Sequence, residues 1–215
     1  MAKLPPTFEP PESLQGTPIE WGAGQTLYRV HHQRYRSNVF NPTPQGNARF
    51  SPIRDAAGKI IPTLYEGTTL DCALMETVFH DVPYKTGFKP LPLSILEGQV
   101  YSSIAVQQNL RLIDLGTIAL HKLGIKRTHL IDTTKAFYPR TRRWAEAFYR
   151  QFPKAQGLRW TSRQDDHAFA LALFGTRVKT TELFPVQSRL PLSETGEAIL
   201  PVLELALRLG VTFVS

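Results

Sequence analysis

Cysteine is nearly absent from this chain. Cys72 stands alone, so no intramolecular disulfide is available, and its apolar surroundings offer no companion ligands for a zinc site. Long hydrophobic runs are missing as well: no stretch approaches the roughly 20 apolar residues of a membrane span, which predicts a soluble protein. The opening residues, MAKLPPTFEPPESLQGTP, have neither the apolar run nor the small-residue cleavage pattern of a secretion signal, so the expected location is cytoplasmic. Neither the dinucleotide-binding nor the Walker type of glycine-rich loop occurs, and there is no G-x-S-x-G elbow to present an acyl-transfer serine. Internal repeats and low-complexity segments are also lacking.

What is present is an ordinary globular composition. With 215 residues, 42% of them hydrophobic and 20% charged, the chain can bury a full core and is expected to form one domain. The balance of 25 Lys and Arg against 18 Asp and Glu gives a formal charge of +7, which favours anionic partners: nucleic acid, phosphorylated metabolites or an acidic protein. The basic residues cluster only at HHQRYR (31 to 36) and PRTRRW (139 to 144), and both read as solvated surface.

Residues 1–20 are rich in proline and are expected to form an extended arm packed over a domain spanning 21–215. LYRVHH suits a short strand, and NPTPQGNARF a loop leading to a second, which puts Arg29 and Arg49 at strand ends. IPTLY reads as a strand; Thr68 or Thr69 then caps a largely buried helix over LDCALMETVFHD. PLSILEGQVYSSIAVQ and LRLIDLG read as strands, and a helix is expected from near Pro139, with Trp144, Ala147 and Phe148 on its core side. AQGLRWTSR and AFALALFG give two more strands, and SETGEAILPVLELALRLG a C-terminal helix interrupted by Pro201. Strands and helices mix without regular alternation, so the predicted class is α+β, a mixed and partly antiparallel sheet with flanking helices.

Glu76 is the most informative residue. A carboxylate among Ala73, Phe79 and His80 on an apolar helix loses hydration and must find a partner, either a buried arginine or a site. Arg49 follows the small-residue loop GNARFSP, where its guanidinium can be held beside approachable backbone or pair with Glu76. Arg29, between Tyr28 and Val30 in an apolar strand, reads as pointing into a polar cavity. Tyr65 suits either a ring stacked on a flat ligand or an ordinary core tyrosine. Ser162 lies in a turn, where its hydroxyl binds a ligand or its own backbone. His80 and His167 have no visible partners and stay outside the candidate site, and Asp165 with Asp166 reads as a solvated loop rather than a metal site.

LYRV at 27–30, GNARFSP at 46–52, TLYEGTTLDCALMETVF at 63–79 and GLRWTSRQ at 157–164 together resemble the RES domain family. The resemblance spans most of the chain, and the family's arginine, glutamate and serine order is matched by Arg29 and Arg49, then Glu76, then Ser162. GNARF departs from the family's form, with asparagine and alanine where glycines are usual, and so does the long arm. The resemblance implies a fold like ADP-ribosyltransferase toxins. It also implies a toxin that depletes NAD by phosphorolysis or hydrolysis of the nicotinamide–ribose bond, or that transfers ADP-ribose to a protein. By that carry-over Arg29 and Arg49 hold the pyrophosphate or an incoming inorganic phosphate, Tyr65 packs on the nicotinamide side, Glu76 faces the reacting ribose, and Ser162 anchors a polar group of the ligand. NAD is the implied substrate, with no cofactor or metal, and the implied partner is a helix-turn-helix (Xre-type) antitoxin. A homodimer is compatible with the sequence.

The chemistry is consistent with such a site. Cleaving the N-glycosidic bond develops oxocarbenium charge that a preorganised carboxylate stabilises, and a cationic nicotinamide leaves without a general acid. The competing class is a basic nucleic-acid-binding module built on Arg34, Arg36, Arg140, Arg142 and Arg143. It ranks lower because aromatics are not interleaved with these residues as on a base-stacking surface.

Overall fold

The structure, a computed structural model, describes residues 9–193 and 196–215. In chain order it contains β1 (Thr17–Trp21), β2 (Thr26–His32), β3 (Ile53–Arg54), β4 (Ile60–Ile61), β5 (Thr63–Gly67), α1 (Leu70–Met75), β6 (Lys89–Pro92), β7 (Gln99–Val106) and β8 (Leu110–Asp114). It continues with α2 (Thr117–Leu123), α3 (Arg127–Leu130), α4 (Tyr138–Gln151), β9 (Gly157–Thr161), β10 (Phe169–Phe174), β11 (Leu183–Pro191), α5 (Leu200–Leu209) and β12 (Val211–Val214).

Eight strands form one mixed sheet in the order β1-β8-β9-β10-β5-β2-β7-β11. Every neighbouring pair is antiparallel except β8 and β9. A parallel pair needs a long crossover, and here it is the helical stretch α2 to α4. That crossover buries Leu120, Leu130, Trp144 and Phe148 with Ile113, Leu158, Trp160 and Ala172 of the sheet in one core cluster. Leu27, Leu64, Ile104, Leu112, Leu171 and Leu173 form a second cluster. Alternation along the strands places them on the opposite face. A third cluster joins α1 and α5 through Leu74, Val78, Leu205 and Ala206. The class is therefore α+β in one domain.

The sheet has a weak seam. β2 pairs with β7 at seven successive positions, but with β5 only at Tyr28 opposite Gly67. Beyond that rung the two strands separate. Immediately after it, Thr69 caps α1, its hydroxyl accepting from the Cys72 amide at 3.0 Å. Gly67 is required by this tight strand-to-helix turn: a Cβ there would lie 2.9 Å from the Ala73 nitrogen.

Several expectations are corrected. The helix expected over 70–81 stops at Met75, because the Thr77 hydroxyl donates to the Ala73 carbonyl at 2.6 Å and the Phe79 amide reaches back to Leu74. A side chain thus takes the carbonyl that the next helical amide would use. Arg29 lies in the middle of β2, and Arg49 in an irregular loop, instead of at strand ends. Pro201 begins α5 instead of interrupting it, since a first-turn position needs no amide donor. The arm's last residues, 17–20, belong to β1 at the sheet edge, while residues 9–16 lie against α4, with the Leu14 amide on Gln151 at 2.7 Å. Residues 1–8 of the expected arm lie outside the described residues. Among the described residues no helix is long and apolar enough to cross a membrane.

Candidate active site

Where β2 and β5 part, a cleft of about 440 Å³ opens, lined by Arg29, Arg49, Tyr65, Glu66, Cys72 and Glu76 among others. This lies within the roughly 300–1,000 Å³ usual for small-molecule sites. Four of the five residues singled out in the sequence are on its walls. They come from β2, the 41–52 loop, β5 and the end of α1, segments that only the folded sheet brings together.

Glu76 is the C-cap of α1 and is half-buried. Its Oε1 accepts a hydrogen bond from the Ser162 hydroxyl at 2.7 Å. Ser162 is fully buried, and its oxygen in turn accepts from the amides of Gln164 at 3.0 Å and Asp165 at 3.2 Å. Two backbone donors thereby fix the hydroxyl with its proton towards the carboxylate. Ser162 thus bonds its own backbone and donates to Glu76 from behind the wall; it is not itself among the residues that line the cleft.

Arg49 is buried. Its Nη1 donates to the Thr133 hydroxyl at 2.7 Å and carbonyl at 3.3 Å, and its guanidinium lies 5.2 Å from the Tyr138 ring centroid. Burial lowers its pKa, offset by the fields of Tyr138 and Glu76. No direct ion pair joins Arg49 to Glu76 among the described residues. Tyr65 is held on the cleft wall by accepting from the Phe50 amide at 2.8 Å, and burial pushes its phenol above the usual range. Its ring meets Trp160 edge-on, at 6.1 Å between centroids.

Arg29 is placed differently. Alternation along β2 puts it on the face of Leu27, whereas Tyr28 and Val30 face α1. Its Nη1 donates to the carbonyls of Ser37 at 2.8 Å and Val39 at 3.1 Å, clamping the loop that forms the next wall. Beside it Glu66 is buried, and neither carboxylate oxygen has a hydrogen-bond partner among the described residues. Burial raises the Glu66 pKa well above the usual carboxylate range, with Arg29 opposing. Burial likewise pushes the Cys72 thiol up to about 12, which makes it a poor nucleophile.

Sequence reasoning missed Tyr138 and Lys135, which line the cleft from the start of α4 and just before it, Thr133, which holds Arg49, and Glu66. The first three carry no local signal, since the crossover is what brings them to this side of the sheet. Glu66 did carry one: a carboxylate at an alternating position of TLYEG, in line with buried Leu64. Of the two basic clusters, Arg142 is spent on the cleft loop, donating to the Ala48 carbonyl at 3.2 Å and Asn47 Oδ1 at 2.5 Å, and Arg143 pairs with Glu9. Neither joins a continuous basic stripe. His167 and Asp165 stay outside the lining, whereas His80, expected outside the site and without a partner, lines the cleft with its Nδ1 on Asp81 at 2.7 Å; among the described residues no group of His, Cys, Asp or Glu could hold a metal ion.

A split mixed sheet with a carboxylate and buried arginines at the split defines an α+β domain with a small-molecule cleft. The RES domain family matches residues 26–196. That span covers most of the chain, and the chain belongs to this family. No curated protein sequence matches it. In structure it is similar to a chain of the crystal structure of the M. tuberculosis MbcT-MbcA toxin-antitoxin complex, with a TM-score of 0.60 and 18% sequence identity, over 80% of this chain and 85% of that one.

Proposed function

We propose that this protein is a toxin-type enzyme that cleaves the nicotinamide–ribose bond of NAD, with inorganic phosphate or water as acceptor. The observation that carries the reading is the carboxylate of Glu76, aimed by a buried and doubly anchored Ser162 into a cleft that Arg49 and Tyr65 also line. As the C1′–N bond breaks, nicotinamide leaves as a neutral molecule and positive charge appears on the ribose. A fixed carboxylate stabilises that charge more than it stabilises the ground state. Phosphate or water then adds to C1′ and gives up its proton to solvent. Tyr65 offers a ring for the flat nicotinamide, and Arg49 supplies a positive field.

The partner this reading implies is a protein antitoxin of helix-turn-helix (Xre) type. Family membership supports it, and so does a structural neighbour solved within a toxin-antitoxin complex.

The test is nicotinamide release from NAD by wild-type protein and Glu76→Gln, with and without inorganic phosphate, with the ribosyl product identified. Loss of NAD in the wild type and about a hundredfold or greater fall in the variant are expected. Unchanged turnover in Glu76→Gln sinks the proposal. Recovery of labelled ADP-ribose on protein instead of in a small molecule replaces it with ADP-ribosyl transfer.

A further inference from the structure

The two arginines that the resemblance assigns to phosphate have much of their hydrogen bonding committed elsewhere. Arg49 is buried on Thr133, and Arg29 clamps backbone carbonyls of the 36–39 loop. The cleft is lined by one further basic residue that solvent reaches freely, Lys135, whose side chain is 51% exposed. Its Nζ lies 2.6 Å from Oδ2 of Asp81, which comes from the turn that follows α1. Asp81 Oδ1 is also held, at 2.7 Å, by Nδ1 of His80, and all three residues line the cleft.

Both ends of this bridge are rooted. Two residues before Lys135, the Thr133 carbonyl accepts from Arg49 at 3.3 Å and from Arg163 at 3.1 Å. On the other side, Gln164 donates to the His80 carbonyl at 3.0 Å and accepts from the Tyr84 hydroxyl at 2.8 Å. The ammonium and the carboxylate therefore meet because their backbones are held there. An exposed lysine–carboxylate pair is weak, about 0–1 kcal/mol, and yields readily to a better anion. A phosphate carries more charge and more acceptor oxygens than Asp81, and an ammonium binds it as a point charge.

We infer that Lys135 is the phosphate-binding residue of the cleft, and that Asp81 occupies its ammonium until the phosphate of a nucleotide or free inorganic phosphate displaces it. The inference rests on the NAD reading for its substrate but not for its chemistry. The expected signature is of opposite sign at the two residues. At low ionic strength Lys135→Ala raises the KM for the phosphate-bearing ligand about three- to tenfold with little change in kcat, an effect that fades in about 0.5 M salt. Asp81→Asn lowers the same KM about two- to fivefold. A merely structural bridge would make both variants worse or leave both unchanged.

The experiment measures KM separately for NAD and for inorganic phosphate in wild type, Lys135→Ala and Asp81→Asn, together with ADP binding by calorimetry. A shift confined to NAD assigns the pyrophosphate, and a shift confined to phosphate assigns the co-substrate; either supports the inference. Turnover of NAD with both KM values unmoved in Lys135→Ala overturns it and leaves the NAD reading standing. ADP binding that Lys135→Ala weakens, in a protein that leaves NAD intact, overturns the NAD reading and keeps this one. Neither turnover nor ADP binding ends both.

Discussion

Replacing Glu66 with methionine should stabilise the ligand-free protein. The carboxyl is buried with 5% exposure and neither oxygen has a hydrogen-bond partner among the described residues, so folding removes it from water with no hydrogen bond in return. An unsatisfied buried polar group costs about 1–3 kcal/mol, and methionine fills a similar volume with an adaptable apolar chain. For a domain of this size each 1 kcal/mol moves Tm by roughly 2–4 °C, which gives an expected rise of about 2–12 °C near neutral pH. The effect has a pH signature. Because the folded pKa is raised, folding takes up a proton. The stability Glu66 allows is therefore fully present below the unfolded value of about 4.3 and is lost as pH rises towards the folded value. The advantage of Glu66→Met should accordingly be least near pH 4.5, where only the cost of burying the uncharged carboxyl is relieved, and grow towards pH 7. Thermal unfolding of both proteins across that range, followed by circular dichroism, makes the measurement. The opposing possibility is an ionised Glu66 that neutralises Arg29, in which case its removal strands a buried cation at a cost of about 3–5 kcal/mol. A Tm that falls at neutral pH would refute the argument that Glu66 is an uncompensated neutral acid.

Other variants probe the supports of the cleft. Ser162→Ala removes the donor to Glu76 and leaves two amides unpaired; kcat for NAD should fall about ten- to a hundredfold with KM nearly unchanged, and stability by about 1–2 kcal/mol, read from steady-state kinetics and urea melts. Gly67→Ala places a Cβ 2.9 Å from the Ala73 nitrogen, so α1 must shift, at a cost of about 1–3 kcal/mol, and activity should drop with it. Arg177 donates to the carbonyls of Tyr149 at 2.6 Å, Phe152 at 2.9 Å and Ala155 at 2.7 Å, closing the end of α4 outside the cleft lining. Arg177→Ala should lower stability by about 2–4 kcal/mol in chemical denaturation while leaving KM for NAD at 25 °C unmoved.

What could be read from the chain without its structure divides along physical lines. Strands β8, β9 and β10 and helix α4 carry their own periodicity or apolar runs, and each falls where that pattern puts it, whereas the strand expected over IPTLY is split by Pro62 into β4 and a β5 that runs two residues further, to Gly67. β1 and β11 do not: β1 alternates only between half-buried and exposed residues, β11 is exposed over most of its length, and both pair at the free edges of β8 and β7. Helix α2 was passed over because LGTIALHKLG is short and bounded by glycine on both sides. At the cleft, Glu76 was recognisable as a carboxylate in an apolar setting and Arg49 as a cation in a small-residue loop. Their hydrogen bonds were not, although Ser162 is itself a candidate by resemblance, since it lies 86 positions from Glu76 and Thr133 lies 84 from Arg49. Arg29 reads as pointing into a polar cavity; it lies on the cleft wall with its Nη1 on backbone carbonyls, and the side of the sheet it faces depends on register, which local text does not carry.

The single rung between Tyr28 and Gly67 makes the eight-stranded sheet behave as two plates riveted at one point. One plate carries β1, β8, β9, β10 and β5, the other β2, β7 and β11. Each plate keeps its own full ladder, so the gap between them can be wider or narrower with almost no change in backbone hydrogen bonding. The width of the cleft is therefore set by helix α1, which packs on both plates, and by the side chains and loops that bridge them. Residues such as Arg29, with its hold on the 36–39 loop, act as spacers whose length and charge can be exchanged without rebuilding either plate.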